Sequence, residues 1–423
     1  MLEQHYRPPT SDLCRDTLAV ILAGGSGKRL GELTRWHAKP ALPFGGHYRN
    51  IDFALSNCVN SGVRRIGVLT QYKAHSLIKH VQEGWHFLRP EIGEFIEVWP
   101  AQQRTGTSWY AGTADAVQQN IDIIEEHAPA YILLLAGDHV YRMDYLPMLE
   151  THRESGAAVT VGSIEVPVRT ATQFGVLAVD SGGNIAEFVE KPSEPRTLPG
   201  QPGTALASMG IYVFDRDYLV AALRDDARQC ESSHDFGHDL MPRLVADGRA
   251  VAYPFSDPQT GTPAYWRDVG TVDCYWQANM DLLGVAPQLD LRDPSWPIWT
   301  QQEQVSPSQF CAAGQARDSI VANGCRVAGS VEHSILFTGA DIGAGAVIED
   351  SLILPGASIG RGCPIRKAII DSRCTVGPGT SIGVDPGNDR QRYHVSSGGV
   401  TLVTHDMLKS SRPTGRVGGR LVA

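Results

Sequence analysis

The sequence predicts an open α/β domain followed by a three-sided parallel β-helix, and three observations carry that prediction. The first third alternates continuous apolar runs with stretches of helical periodicity. A proline-rich segment then interrupts this texture. Beyond it, aliphatic residues recur in a fixed rhythm.

A chain of 423 residues has a prior of two or three domains at about 150 residues each. Apolar residues at 42% and charged residues at 20% match ordinary globular usage, which excludes disorder and fibrous repeats. The formal charge of -9 argues against a general binder of nucleic acid or anionic membrane, while leaving room for a local basic pocket for phosphates. Residues 1–16 are polar and lack the apolar core of a secretory signal. The run Tyr131–Ala136 falls far short of the roughly 20 residues a membrane span needs. Eight scattered cysteines without a CxxC pair read as buried free thiols, so the expectation is a soluble protein of a reducing cytoplasm.

Leu18-Ala19-Val20-Ile21-Leu22 is apolar without alternation, as a parallel strand buried on both faces should be, and it opens directly into Gly24-Gly25-Ser26-Gly27-Lys28-Arg29. Ile51, Ala54, Leu55, Cys58 and Val59 follow helical spacing up to Asn60-Ser61-Gly62, and Ile66-Gly67-Val68-Leu69 reads as the next strand. Ala114, Val117, Ile121 and Ile124 mark a further helix, before a strand that ends at Gly137-Asp138. The order is β-α-β-α, with right-handed crossovers. We place this domain at 1–283, a linker holding Pro287, Pro294, Pro297 and Pro307 at 284–310, and the β-helix at 311–423. Its repeat is Val331, Leu336, Ile342, Ile348, Ile353, Ile359, Ile365, Ile370, Val376 and Ile382, in which any three consecutive steps span 17 residues. One inward aliphatic per face of a three-sided coil produces that spacing.

The glycine loop fits neither common phosphate fingerprint. Leu30 stands where a dinucleotide loop needs its third glycine, and Arg29 follows Gly27-Lys28 where a P-loop needs Ser or Thr. What remains is a backbone able to approach phosphates, with Lys28, Arg29 and Lys39 nearby in sequence; the alternative is a tight turn. Asp138 follows a buried strand and so belongs at the carboxyl edge of the sheet, where open α/β folds bind ligands. It is either a ligand for Mg²⁺ bridging nucleotide phosphates or a turn aspartate, and Asp268 is a possible second ligand. Lys191 is a phosphate contact paired with Glu190 or a solvated strand-end lysine. His234 and His238 have the i, i+4 spacing of a metal pair, but Gly237 weakens the helix such a pair requires. No Ser/His/Asp or Cys/His constellation stands out.

Taken in order, the segments Leu22 through Leu30, Ala38-Lys39-Pro40, Asn50-Ile51-Asp52-Phe53-Ala54-Leu55-Ser56-Asn57, Gly112-Thr113-Ala114-Asp115-Ala116, Ala136-Gly137-Asp138-His139, Phe188-Val189-Glu190-Lys191-Pro192, Ser208-Met209-Gly210-Ile211-Tyr212 and Tyr265 through Thr271 resemble the bacterial glucose-1-phosphate adenylyltransferase family across nearly the whole chain. The resemblance implies a Rossmann-like nucleotidyltransferase domain with a mostly parallel sheet and a left-handed parallel β-helix. It implies ATP and α-D-glucose 1-phosphate as substrates and ADP-glucose and pyrophosphate as products, in glycogen synthesis. By similarity, Gly24, Gly25 and Gly27 would cradle the ATP phosphates, Gln71 would lie near the adenine, and Arg29 and Lys39 would offset charge on the transferring group. Asp138 and Asp268 would hold Mg²⁺, with Asp138, Arg29 and Lys39 the catalytic set. Tyr110, Gly175, Glu190, Lys191 and Ser208 would bind the sugar phosphate.

The resemblance further implies a homotetramer with metabolite effectors bound between the domains, and no nucleic-acid or membrane partner. Family members activated by fructose 1,6-bisphosphate often carry basic residues just before Ala38-Lys39-Pro40, where this chain has Trp36-His37. His405 and Lys409 stand where arginines are frequent, Arg373 is shifted by one position, and Arg49 is retained. Weaker or different activation is the expectation. Glu125-Glu126, in place of basic residues, implies weak AMP sensitivity. The rival readings are a UTP- or dTTP-dependent sugar pyrophosphorylase and a regulatory subunit with little turnover. An acyltransferase carried by the β-helix would need more coils and a histidine between them, and His333 is the only histidine in the counted repeat.

Overall fold

The computed structural model describes residues 11–25, 27–102, 109–257 and 260–410. Four strands, β1 (Thr17–Leu22), β2 (Arg65–Thr70), β3 (Phe95–Pro100) and β4 (Tyr131–Ala136), lie parallel in the order β3-β2-β1-β4. β1 has a strand on each edge and a core on each face: Ala19 and Ile21 join one apolar cluster, Leu18 and Val20 the other. That double burial is why its run does not alternate.

β5 (His139–Tyr141) leaves the sheet immediately after β4. The sheet continues through β6 (Val159–Pro167), β7 (Gly175–Val179), β8 (Ile185–Glu190), β9 (Thr204–Asp215) and β10 (Ala250–Pro254). β9 runs antiparallel to β4, β6 and β7, β8 forms a hairpin with β7, and β10 lies parallel to β6. β11 (Trp266–Asp268) stands apart from this sheet, antiparallel to β5.

Helix α1 (Asn50–Ser61) ends at Gly62, whose φ of 88° closes the helix with a left-handed residue. The single helix expected from Ala114 to Ile124 is two, Thr113–Gln118 and Ile121–His127. Asn120 breaks it: its backbone leaves the helical region while its amide donates to the Tyr110 hydroxyl at 2.9 Å and the Ala116 carbonyl at 2.8 Å.

The proline-rich segment is a strap on α1. Asn60 donates to the Pro297 carbonyl at 2.8 Å, the Trp299 amide donates to Ser56 Oγ at 2.8 Å, and Thr300 donates to Asp52 at 2.6 Å. With the strap on one side and the sheet on the other, α1 buries nearly every residue, polar ones included.

The β-helix has three parallel sheets, one per face. Val331, Ile348 and Ile365 align on one, Leu336, Ile353 and Ile370 on the second, and Ile342, Ile359 and Val376 on the third. All nine are buried, so the 17-residue rhythm is the register of a left-handed hexapeptide coil. Two features escape the count. Val327 pairs with Ile342 and Val321 with Leu336, a spacing of 15 residues, so the array starts earlier than the counted rhythm. Ile370 pairs with Val403, with the helix Pro386–Arg392 in the intervening excursion. Phe337, Leu354, Ile369 and Leu402 of the β-helix share one core with Leu42, Phe44, Tyr275 and Leu282.

All eight cysteines are free; five are buried as expected, whereas Cys230 is exposed and Cys274 and Cys311 are half-buried. Among the described residues no helix is long and apolar enough to cross a membrane.

Candidate active site

The site forms at the carboxyl ends of β1, β2 and β4. Gly24 packs against Gln71, where a Cβ would lie 3.4 Å from Gln71 Cβ, so the first glycine brings loop and glutamine side by side. Gly27 has φ 62°, and a Cβ there would lie 2.7 Å from Thr34 Cγ2; only glycine fits this turn. The Thr34 hydroxyl then pins the loop by donating to the carbonyl of Gly27 at 3.0 Å or of Gly31 at 3.1 Å. Gly25 is exposed and would meet nothing with a Cβ, so packing does not explain it. Ser26 and the side chain of Lys28 lie outside the described residues.

Pairing of β11 with β5 sets Asp268 opposite His139, and hence beside Asp138. Two carboxylates far apart in the chain thus become neighbours. Lys39 Nζ lies 2.6 Å from Asp138 Oδ2 and 2.6 Å from Asp268 Oδ1. Arg29 approaches the same pair at 3.7 Å from Asp268 Oδ2, and Gly270 leaves room for both groups. Burial opposes ionisation of Asp138, but Lys39 and His139 outweigh it and hold the carboxyl down at about 2. Burial likewise opposes the charged form of Lys39, and the two carboxylates overcome it and keep the ammonium above its ordinary range.

A pair of carboxylates that gathers one buried cation is a donor set for a hard divalent ion completed by substrate phosphates and water. Among the described residues no group of three or more His, Cys, Asp or Glu side chains converges as a self-sufficient metal cage. His234 and His238 have separate partners instead: His234 pairs with Asp226 at 2.8 Å and His238 with Asp239 at 3.0 Å.

The residues expected to bind the sugar phosphate lie on β7, at the end of β8, on β9 and in the segment that precedes Thr113. β7 and β8 set Gly175 opposite Glu190, and a Cβ at Gly175 would lie 3.0 Å from Glu190 Oε2. Lys191 takes a left-handed φ of 45°, and its ammonium lies 2.5 Å from Glu190 Oε1. Ser208, at a bulge in β9, bonds the Tyr212 hydroxyl at 3.2 Å and accepts from the Gly210 amide at 3.2 Å. A Cβ at Gly210 would lie 3.5 Å from His139 Cε1, so this bulge abuts the residue next to Asp138. The Tyr110 carbonyl accepts from Gln71 at 3.3 Å, which links Tyr110 to the residue packed against Gly24.

Several contributors carry no chemical signature in the sequence. Thr113 donates to Asp235 at 3.0 Å and accepts from the Phe236 amide at 2.9 Å, while Gly112 has no space for a Cβ against the His234 carbonyl. Residues 234–237 are thereby held against residues 112–113 on one side and the Glu190 carboxylate on the other. Asp52 is fully buried and accepts from His80 at 2.6 Å, Trp85 at 3.1 Å, Thr300 and the Arg49 amide at 2.8 Å; it is a structural hub. Arg49, Arg373 and Lys73 all act on His37: burial lowers its pKa, and the three cations lower it further. Trp36 is exposed, and Glu125 pairs with Arg224 at 2.8 Å.

A glycine loop over a carboxylate pair at the edge of a parallel sheet, followed by a hexapeptide β-helix, defines a sugar-phosphate nucleotidyltransferase. Residues 18–284 match the nucleotidyl transferase family and residues 305–403 the GlmU-like C-terminal hexapeptide family. The chain is 56% identical to glucose-1-phosphate adenylyltransferase 2 of Alkalilimnicola ehrlichii over 94% of this chain and 96% of that one. It is 58% identical to adenylyltransferase 1 of the same organism, over 94% and 96%. With the Thiobacillus denitrificans enzyme it shares 54% identity over 96% of this chain and 94% of the relative. The chain belongs to the glucose-1-phosphate adenylyltransferase family.

Proposed function

We propose that this protein transfers the adenylyl group of ATP to α-D-glucose 1-phosphate, yielding ADP-glucose and pyrophosphate for glycogen synthesis. The observation that carries the reading is the buried Lys39 shared by Asp138 and Asp268 beside the glycine loop.

A phosphate oxygen of glucose 1-phosphate attacks the α-phosphorus of ATP; the new P–O bond forms as the bond to the β-phosphate oxygen breaks, and pyrophosphate leaves with that electron pair. The attacking phosphate is already ionised, so no protein nucleophile is required, and catalysis is alignment and charge stabilisation. Backbone amides around Gly24, Gly25 and Gly27 approach the triphosphate, and Gln71 flanks the base. Arg29 and Lys39 offset charge on the transferring phosphoryl and the departing pyrophosphate. Asp138 and Asp268 would hold Mg²⁺, which when bound supplies Lewis-acid neutralisation of phosphate oxygens. Glu190 accepts from glucose hydroxyls, Lys191 binds the sugar phosphate, and Tyr110, Gly175 and Ser208 shape the remaining wall. Before substrate binds, Glu190 neutralises Lys191.

The β-helix faces suit assembly, and we take a homotetramer regulated by metabolite effectors as the working unit, in the cytoplasm, where eight free thiols persist. With Trp36 exposed and Glu125 engaged by Arg224, activation by fructose 1,6-bisphosphate and inhibition by AMP are both expected to be weak.

Pyrophosphate release from ATP, UTP, dTTP and GTP with glucose 1-phosphate and Mg²⁺, in wild type and Asp138→Ala, tests the reading. Turnover with ATP alone, abolished by the substitution, is the expected result. Preference for UTP or dTTP would move the protein to another sugar pyrophosphorylase; no turnover with any nucleotide or effector would make it a regulatory subunit.

A further inference from the structure

Asp273 stands five residues after Asp268, in the first turn of helix α2 (Val272–Met280), and the β-helix domain grips its carboxylate. The hydroxyl of Ser396 donates to it, as do the hydroxyl of Ser397 at 3.2 Å and the amide of Gly398 at 3.0 Å. A Cβ at Gly398 would come within 2.6 Å of Asp273 Oδ1, so glycine is what lets the 396–398 turn close on the carboxylate. Two further bonds fix the same surface. Lys367 donates to the Gly398 carbonyl at 2.7 Å and lies 5.4 Å over the Trp276 ring, and the Trp276 indole donates to the Asp350 carbonyl at 2.8 Å.

On its other side, α2 is joined to the carboxylate pair by a short, buried lead. Asp268 ends β11, Val269 and Gly270 are buried, and Thr271 caps α2 by accepting from the Cys274 amide at 3.1 Å. Gly270 packs against both Arg29 and Asp268: a Cβ there would lie 2.9 Å from the Arg29 guanidinium and 3.0 Å from Asp268 Oδ2, so a side chain at this position would displace them. Only the three residues 269–271, two of them buried, separate the α2 amino end from Asp268, so a shift of that end has little chain in which to dissipate before it reaches the carboxylate.

We infer that Asp273 is a positioning residue for the adenylyl transfer: the 396–398 turn, through Asp273, sets the placement of Asp268 and hence how tightly the carboxylate pair holds a divalent cation. The inference rests on the reading of Asp268 as a metal-holding residue, and the experiment separates the two. Coupling between sites is reciprocal, so the cation also biases how the β-helix turn seats on α2.

The test uses the full-length protein saturated with a non-reactive ATP analogue, with Mn²⁺ as the probe and its unbound fraction read by electron paramagnetic resonance. Asp273→Ala and the double variant Ser396→Ala/Ser397→Ala should each weaken Mn²⁺ binding about three- to tenfold. Asp273→Asn, which retains one acceptor oxygen, should lose less. In turnover assays the half-saturating Mg²⁺ should rise by the same factor, while KM for glucose 1-phosphate stays within about twofold, a split that loss of stability alone would not produce. Asp268→Asn serves as the reference. If it weakens Mn²⁺ binding and both the Asp273 and the serine variants do not, the positioning role is wrong and the metal reading stands. If Asp268→Asn itself leaves Mn²⁺ binding unchanged, the metal reading falls. Should Asp273→Ala fail to fold, the serine variant decides the question, since it leaves α2 intact.

Discussion

The carboxylate of Glu190 fills the space a side chain at position 237 would need: a Cβ on Gly237 would lie 2.6 Å from Glu190 Oε2. The absence of a side chain at residue 237 is what leaves the Glu190 carboxylate its present place against residues 232–240. The group in the way is the end of a flexible side chain, so Gly237→Ala should displace Glu190 while leaving the backbone in place. The expected result is a KM for glucose 1-phosphate raised about tenfold, a KM for ATP within about twofold, and little change in melting temperature. Steady-state kinetics with each substrate varied in turn checks this.

Lys39 neutralises the same two carboxylates that would hold the metal. Lys39→Met should leave Asp138 and Asp268 repelling each other in the metal-free protein and lower its melting temperature. Mg²⁺ should restore more of that loss in the variant than it adds to wild type, because in the variant it has no ammonium to compete with. Thermal melts across a Mg²⁺ series measure the difference; equal Mg²⁺ responses in the two proteins would show that Lys39 and the cation use different groups.

Two carboxyls, Asp138 in this cluster and Asp371 in the β-helix, give stability a pH dependence of definite and opposite sign. Asp138 is depressed to about 2 in the folded state, so its contribution to stability is complete above the ordinary carboxyl range and is lost as pH falls toward 2. Asp371 behaves oppositely. Burial pushes it up to about 6, so between about pH 4 and 6 the native state keeps a proton the unfolded chain has released, and stability falls as pH rises through that window. Asp371→Asn, neutral throughout, should melt higher than wild type at pH 7.5 and about equally at pH 4; thermal melts at the two values decide it.

Asp52 ties α1, the helix His75–Gly84 and the strap into one unit through His80, Trp85 and Thr300. Asp52→Ala leaves buried donors without their acceptor and should cost about 3–5 kcal/mol, measured by urea unfolding. Thr300→Val removes only the strap's bond and should cost about 1–3 kcal/mol.

What could be read from the sequence follows from how local each signal is. The β-helix register was legible because each aliphatic contacts residues one coil away at a constant offset, from Val331 to Ile348 to Ile365. The glycine loop and its strand were legible because their pattern is contiguous. The 15-residue spacing of the first coils hid Val321 and Val327 from the same count. The meeting of Asp138 with Asp268 depends on pairing between two three-residue strands, too short for any periodicity to announce. The strap read as a linker because its buried apolar residues, Leu289 and Ile298, are too few and too widely spaced to show a period, and the bonds of Trp296, Trp299 and Thr300 to Asn57, Asn60 and Asp52 leave no mark in a hydrophobic pattern. The break at Asn120 was hidden because its amide trades helix continuation for the Tyr110 hydroxyl, a contact that apolar spacing does not register.

The most direct test of the account is the turnover number, at saturating ATP, glucose 1-phosphate and Mg²⁺, of Asp138→Asn, Asp268→Asn and the double variant. Two carboxylates that act as one unit should each cost about 100- to 1000-fold when neutralised, and the double variant should be no slower than the worse single one. Losses that multiply in the double variant, or an Asp268→Asn enzyme with the wild-type rate, would contradict a shared site built from Asp138 and Asp268.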